Sequence, residues 1–240
     1  MEDIRKMDIK EYKYRTELHT HTAPASACSD YDPVELVQCY AGLGYDSLVI
    51  CNHFYDGMRY YGAKEKCIST YLQDYDRAAE AGASLGIHVI LGCEIRFSEN
   101  INDYLLFGID RSFLWDAYEY LRKGLAEFSE HFRGENRVLL QAHPFRNGMT
   151  HVDPKYLDGI ETFNVHLDHN SRVAQAARYA REHDMIVSAG SDCHHRGQEG
   201  FGSIRTKQPL CTSEDIAAVM RSRDYLLEVG GCLILPYATS

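Results

Sequence analysis

No stretch of the 240-residue chain approaches the roughly 18 consecutive apolar residues of a membrane span. None of its eight cysteines forms a C-x-x-C pair, and they are scattered. Positive charge is in short supply: Lys+Arg is 25 against Asp+Glu 35, a formal net charge of −10. Such a surface repels nucleic-acid backbones unless bound metal or a local patch reverses the sign. There is no low-complexity tract, no long linker and no repeat of about 20 to 50 residues, which disfavours a solenoid. Residues 1–14 are charged and carry no apolar export signal, so the expectation is a reduced, cytoplasmic protein and not a disulfide scaffold. With 45% hydrophobic and 25% charged residues the composition is that of an ordinary globular protein, which excludes disorder. The length suits one domain over 1–240. What the chain has in excess is histidine, twelve in all.

Short, near-continuous apolar runs at 14–18, 47–51, 88–93, 104–109, 138–142, 159–163 and 185–189 read as strands buried on both faces. Helical signals lie between several of them. Asp32-Pro33-Val34-Glu35 reads as an N-cap, a proline at the first helical position and an acid that can close a capping box, with Val34, Val37 and Ala41 on one face. Longer helices are expected over 69–85 and 112–131. Asn170 would cap a helix with an apolar stripe of Val173, Ala174, Ala177 and Ala180, and Thr212-Ser213-Glu214-Asp215 opens another. Strand–helix–strand repeated about seven times implies an α/β fold with a parallel sheet, as a closed TIM-like barrel or an open doubly wound sheet. In both, sites form at the carboxyl ends of the strands.

Metal-ligand residue types fall at those ends. His19 and His21 follow the first strand, and residues i and i+2 of an extended chain point the same way. His53 follows the second strand, Glu94 the third, His143 the fifth, and Asp192 and His194 the seventh; Asp30 lies in the loop after the first. A single histidine after a strand is more often a hydrogen-bonded loop residue. Ligand types at five strand ends make coincidence a poor account. A closed barrel gathers them into a ring where an open sheet spreads them along a line, so the expectation is a barrel with one metal site at its rim. Alternation turns Cys93 and Cys193 away from that site. Imidazole and carboxylate without thiolate suit zinc, manganese or iron. Of the remaining histidines only His166, His169 and His195 lie where substrate contact is open to them.

His19-x-His21, Asp30, Asn52-His53, Glu94, His143-Pro144 and Gly190-Ser191-Asp192-x-His194 together resemble the ordered motifs of the PHP (polymerase and histidinol phosphatase) family, over residues 16–205. The resemblance implies a distorted seven-stranded, TIM-like (β/α)7 barrel, two or three divalent ions, and phosphoesterase activity. It implies one ion on His19, His21, Glu94 and Asp192, a second on Asp30, His53 and His194, and a third shared by Glu94 and His143. Two positions depart from the pattern. Asn52 stands where many members have Asp, and Asp103 lies where many have His, so either Asp103 substitutes at the third ion or that ion is weakly held.

Such ions offset the charge of a phosphate ester, lower the pKa of a bound water to around 7, and clamp attacking and leaving oxygens. The expected chemistry is in-line attack by a metal-activated hydroxide on a small metabolite or nucleotide phosphate. Asp192, His194 and His195 are the catalytic candidates, the last two as acids to the leaving group. Arg96, Arg146, Arg196 and Arg205 border the motifs as candidate phosphate ligands. Rival readings are a bacterial capsule-type protein-tyrosine phosphatase, an amidohydrolase-like C–N hydrolase, and a non-catalytic metal-binding regulatory domain. Gly82-Ala83-Ser84-Leu85-Gly86 has the letters of a nucleophile elbow, but helix precedes it and strand follows, the reverse of what that motif needs. Residues 55–66, rich in Tyr and Gly, are a lid or a plain surface loop.

Overall fold

Every apolar run named above is a strand in the computed structural model, which describes residues 8–237. Part of the charged stretch 1–14 lies outside the described residues. The strands are β1 (Tyr14–Thr20), β2 (Ser47–Ile50), β3 (His53–Phe54), β4 (His88–Leu91), β5 (Cys93–Arg96), β6 (Asp103–Phe107), β7 (Val138–Gln141), β8 (Gly159–Asn164), β9 (Ile186–Gly190), β10 (Gly202–Thr206), β11 (Leu226–Val229) and β12 (Cys232–Ile234). The helices are α1 (Pro33–Gly42), α2 (Lys64–Leu85), α3 (Phe113–Tyr118), α4 (Leu125–Phe132), α5 (Val173–Glu182) and α6 (Ser213–Ser222). Among the described residues no helix is long and apolar enough to cross a membrane.

Local chemistry explains the helix ends. The Asp32 carboxylate accepts from the Val34 amide at 3.0 Å, and Pro33 opens α1. Thr212 and Asp215 form a full capping box on α6. Gly86, at φ 75°, ends α2, so Ser84 is a helical residue bonded to the Glu80 carbonyl and no nucleophile. Three helical expectations are corrected. The 112–131 stretch is two helices, because Gly124 takes φ 91° between them. The buried face of α5 is Ala176 and Ala180; Ala174 and Ala177 face solvent. That of α1 is Leu36, Val37 and Tyr40.

The strands form a mixed α/β structure of two six-stranded sheets, ordered β12-β11-β10-β1-β2-β4 and β3-β5-β6-β7-β8-β9. This corrects the all-parallel expectation: β6 is antiparallel to both β5 and β7, and β10 is antiparallel to β1. Nor do the strand ladders close into one ring. The sheets adjoin at two seams. At one, β4 runs into β5 through Gly92 alone. At the other, Thr20, the last residue of β1, bridges Cys193 in parallel just past the end of β9, but β10 occupies the edge of β1 from Tyr14 to Thr16. The approach at this seam is close: a Cβ on Gly190 would lie 2.7 Å from His19 Cβ and 2.8 Å from Glu161 Oε1. The main core packs Leu18, Val49, Ile95, Leu105, Leu140, Ile160 and Val187 together; a second cluster sits under α1. Each such side chain contributes ~1.5–3 kcal/mol by leaving water, which fixes the strand ends that carry the site.

Candidate metal centre

The strand ends converge. In β1 the extended backbone sends Glu17 and His19 to one face, with His21 just beyond, and all three are fully buried. His19 Nδ1 lies 2.9 Å from Glu161 Oε1, and only a donor suits a carboxylate there, so Nδ1 carries a proton and Nε2 is the atom turned to the centre. That Nε2 is 3.3 Å from Glu94 Oε1 and 3.4 Å from Asp192 Oδ1. His21 Nε2 is 3.5 Å from Glu94 Oε2 and 3.3 Å from Asp192 Oδ1. His53 Nδ1 is 2.7 Å from Glu94 Oε2, and His143 Nε2 is 3.1 Å from Glu94 Oε1. The His21 ring stacks on His194 at 4.1 Å and on His53 at 4.5 Å between centroids. His143 and Asp192 hold φ of 30° and 52°, the left-handed region that non-glycine residues seldom adopt and that is found at functional sites.

These residues fit a divalent cation. Buried His19 Nε2 and His21 Nε2 have no hydrogen-bond partner, and Glu94 meets the centre through imidazoles alone among the described residues. A buried polar atom left so costs ~1–3 kcal/mol, and here lone pairs face carboxylates, an arrangement that a cation resolves. Ligand atoms of His19, His21 and Asp192 lie within 4.8 Å of one another, as do those of His21, His53 and His194, and of His53, Glu94 and Asp103.

The charges agree. Burial alone would lower the His19 pKa, but the carboxylates of Glu161, Asp192 and Glu94 hold it well above the usual histidine value. Burial, with His194 and His53 alongside, drives His21 well below it. Burial would raise Glu94 and Asp192, yet the surrounding imidazoles keep both ionised, well below the ordinary carboxylate range. Glu17 is pushed up to about 7 by burial against hydrogen bonds from Ser191 and His19. The centre therefore attracts positive charge, and a metal ion competes there with protons.

A cavity of ≈ 350 Å³ opens above the centre, lined among others by Arg96, Arg146, His166, His169, His194 and His195. The expected site residues divide. His53, His143, Asp192, His194, His195, Asp103, Arg96 and Arg146 line this cavity, and His19, His21 and Glu94 lie fully buried behind them, in ligand distance of lining residues. Asp30 is not brought to it: its carboxylate is 72% exposed and pairs with His195 Nδ1 at 2.7 Å. Arg196 pairs with Glu35 at 2.8 Å, and Arg205 with Glu228 at 2.5 Å, so neither reaches the cavity. No residue of 55–66 lines it. Cys93 and Cys193 are buried in the cores.

The sequence reading passed over four participants. Glu161 accepts from His19 Nδ1 and, at 3.0 Å, from the His143 amide. Asn164 Nδ2 donates to Asp192 Oδ2 at 3.1 Å. Glu17 takes the Ser191 amide at 3.0 Å. Their signal was an acid or amide inside an apolar strand. Cys28 lines the cavity, and although burial raises its thiol, the neighbouring imidazoles of His194 and His53 bring it down to about 6. Asn52 has a local task. Its Oδ1 accepts from the Thr22 amide at 2.7 Å and from Ser26 Oγ at 2.9 Å, and Ser26 Oγ is 3.3 Å from His21 Nδ1.

No family model matches the chain, and no curated protein does. Solved structures do. A two-domain protein from Bacteroides vulgatus, named as containing a predicted PHP-like metal-dependent phosphoesterase, superposes with a TM-score of 0.62 at 16% identity over 95% of this chain and 68% of that one. A protein from Bifidobacterium adolescentis named as a metal-dependent phosphoesterase matches with a TM-score of 0.52 at 17% identity, covering 86% of this chain and 95% of its own. An amidohydrolase from Chromobacterium violaceum, with bound sulfate, matches with a TM-score of 0.50 at 16% identity over 77% and 89%. The chain thus shares its fold with solved structures named as PHP-like or metal-dependent phosphoesterases.

Proposed function

We propose that this chain is a metal-dependent hydrolase of small phosphate esters, a single catalytic domain whose two sheets act as the halves of a distorted (β/α)7 barrel. The observation that carries the reading is the pair of unpartnered ring nitrogens, His19 Nε2 and His21 Nε2, turned to Glu94 and Asp192 beneath a cavity edged with guanidinium groups. His19, His21, Glu94 and Asp192 would hold one divalent ion, and His53 and His194 a second. Zinc, manganese and iron all suit this donor set. When bound, such ions offset phosphate charge and make water a nucleophile near neutral pH.

The chain's own residues supply the rest. Arg146 and Arg96 orient the phosphate from the cavity wall. Glu161 fixes the His19 ring, and Asn164 fixes Asp192. His194 Nδ1 donates to the Asp192 carbonyl at 2.9 Å, which leaves Nε2 as a ligand atom. The acid role therefore falls to His195: Asp30 holds its Nδ1, and Nε2 gives a proton to the leaving oxygen. The cavity volume suits a small phosphorylated molecule.

The test is turnover of p-nitrophenyl phosphate and a panel of metabolite phosphates, with and without prior chelation. Hydrolysis that chelation stops and divalent metal restores is the expected result. An undiminished rate after chelation would refute the reading. Cleavage of amides with no cleavage of phosphate esters would favour C–N hydrolysis, the chemistry named in the Chromobacterium violaceum neighbour.

A further inference from the structure

We propose that Arg96, pinned on Asp103, stands where a third cation would sit, so that the centre holds two divalent ions and fixed guanidinium charge in place of another. The inference rests on the metal-dependent reading above and concerns how that site meets its substrate.

Arg96 and Asp103 are directly opposite each other across the antiparallel β5–β6 ladder. Their side chains form a two-pronged pair, Arg96 Nε to Asp103 Oδ1 at 2.6 Å and Nη2 to Oδ2 at 2.8 Å. Asp103 is buried, and Arg146 Nη2 approaches Oδ2 at 3.6 Å. Asp103 is thus the one acid of the centre that the chain's own cations neutralise. Glu94 and Asp192 have imidazoles around them instead.

A third ion would need Glu94, His143 and Asp103. The ligand atoms of His53, Glu94 and Asp103 are close enough for one, within 4.8 Å. But both Asp103 oxygens already accept from Arg96, and a dication there would face one guanidinium at contact and a second nearby. His143 Nε2 is turned to Glu94 at 3.1 Å and stands 3.8 Å from Asp103. The third-ion set therefore does not fit. Arg96, stacked beside Tyr55 at 5.3 Å, and Arg146 both line the cavity. With two of its donors held by Asp103, Arg96 keeps Nη1 for a phosphate oxygen, in a position set by a strand register and not by a dissociable ion.

The experiment counts metal and measures phosphate. The full chain is loaded with excess Mn²⁺, desalted and assayed for manganese per chain, and inorganic phosphate binding is followed by calorimetry. Two equivalents are expected in the wild type and in Asp103→Asn. Arg96→Met, which frees Asp103, is expected to accept a third equivalent and to bind phosphate ~10-fold or more weakly, the ordinary worth of a charge-assisted hydrogen bond. Three equivalents in the wild type would overturn the inference, and that count needs no variant to fold. So would an Arg96→Met chain that keeps two equivalents and unchanged phosphate affinity. Fewer than two equivalents in the wild type would instead strike the metal-dependent reading itself.

Discussion

Glu94 and Glu228 are both buried carboxylates in strands, and they are held in opposite ways. Glu228, in β11, meets Arg205 Nε at 2.5 Å, Arg15 Nε at 3.0 Å and Ser203 Oγ at 3.1 Å. Glu94, in β5, meets only imidazole nitrogens, of His53, His143, His19 and His21, between 2.7 and 3.5 Å away. Arginine is charged at any pH a protein survives, so Glu228 carries its counter-charge within the chain. Imidazoles offer lone pairs as readily as protons, so Glu94 takes its counter-charge from solution, as protons or as metal. The kind of partner, more than the depth of burial, separates a carboxylate that builds the fold from one that awaits a ligand. By that measure Asp103 belongs with Glu228.

The sharpest way to break this contrast is to remove an acid from the imidazole cluster. Asp192→Ala should bring phosphate-ester turnover to background and lose bound metal, while its circular dichroism stays native. The same is expected of His21→Ala. Activity and metal content unchanged in both would mean that the cluster is structural after all.

Much of the imidazole and carboxylate set is legible from the chain alone, for a physical reason. Parallel strands buried on both faces leave continuous apolar runs, and a ligand just past such a run stands out, as His53 does after Val49-Ile50 and His143 after Leu139-Leu140. What stayed hidden lacks such a pattern. Gly202–Thr206 reads Gly-Ser-Ile-Arg-Thr, a polar alternation whose burial comes only from pairing with β1 and β11. That pairing also keeps the strand ladders from closing. The loop after β1 follows no period. Its course is set by Ser29 Oγ, which donates to the carbonyls of His21 and His194, and it carries Cys28 to the cavity and Asp30 away from it. Glu161 was passed over because an acid within an apolar strand gives no hint of the distant ring it serves.

A smaller effect sharpens the comparison from within the site. Glu161 touches no substrate; it orients His19 through Nδ1 and steadies the His143 amide. Glu161→Gln keeps the shape and loses the acceptor strength, and the loss of such an outer partner typically weakens metal binding ~10–100-fold. Competition against a fluorescent zinc chelator measures it. Restoration of full turnover by raised metal concentration is the outcome that marks a positioning residue. A loss of turnover that persists at saturating metal would make Glu161 part of the chemistry instead.

The smallest effect comes from the other side of the comparison. Glu228→Gln should leave metal content and turnover intact and lower unfolding stability by about 1–3 kcal/mol, because Arg15 and Arg205 lose a partly buried partner. The pH dependence of that deficit is fixed in sign. Burial would raise the Glu228 pKa, but the two arginines and Ser203 hold it below the usual glutamate value. Its folded pKa is therefore depressed relative to the unfolded chain, where glutamate titrates near ~4.3. The native state binds fewer protons than the unfolded one in the interval between the two values, so stability rises with pH across it. The contribution is fully present above the unfolded value and fades as pH falls through the folded one. The gap between wild type and Glu228→Gln should be flat from about pH 6 to 8 and shrink below about pH 5. Proton competition at the metal ligands acts on both proteins alike and drops out of the difference. Urea unfolding of the pair across this range measures the gap. If the gap widened on acidification, Glu228 would be held by something other than its arginines, and its contrast with Glu94 would be lost.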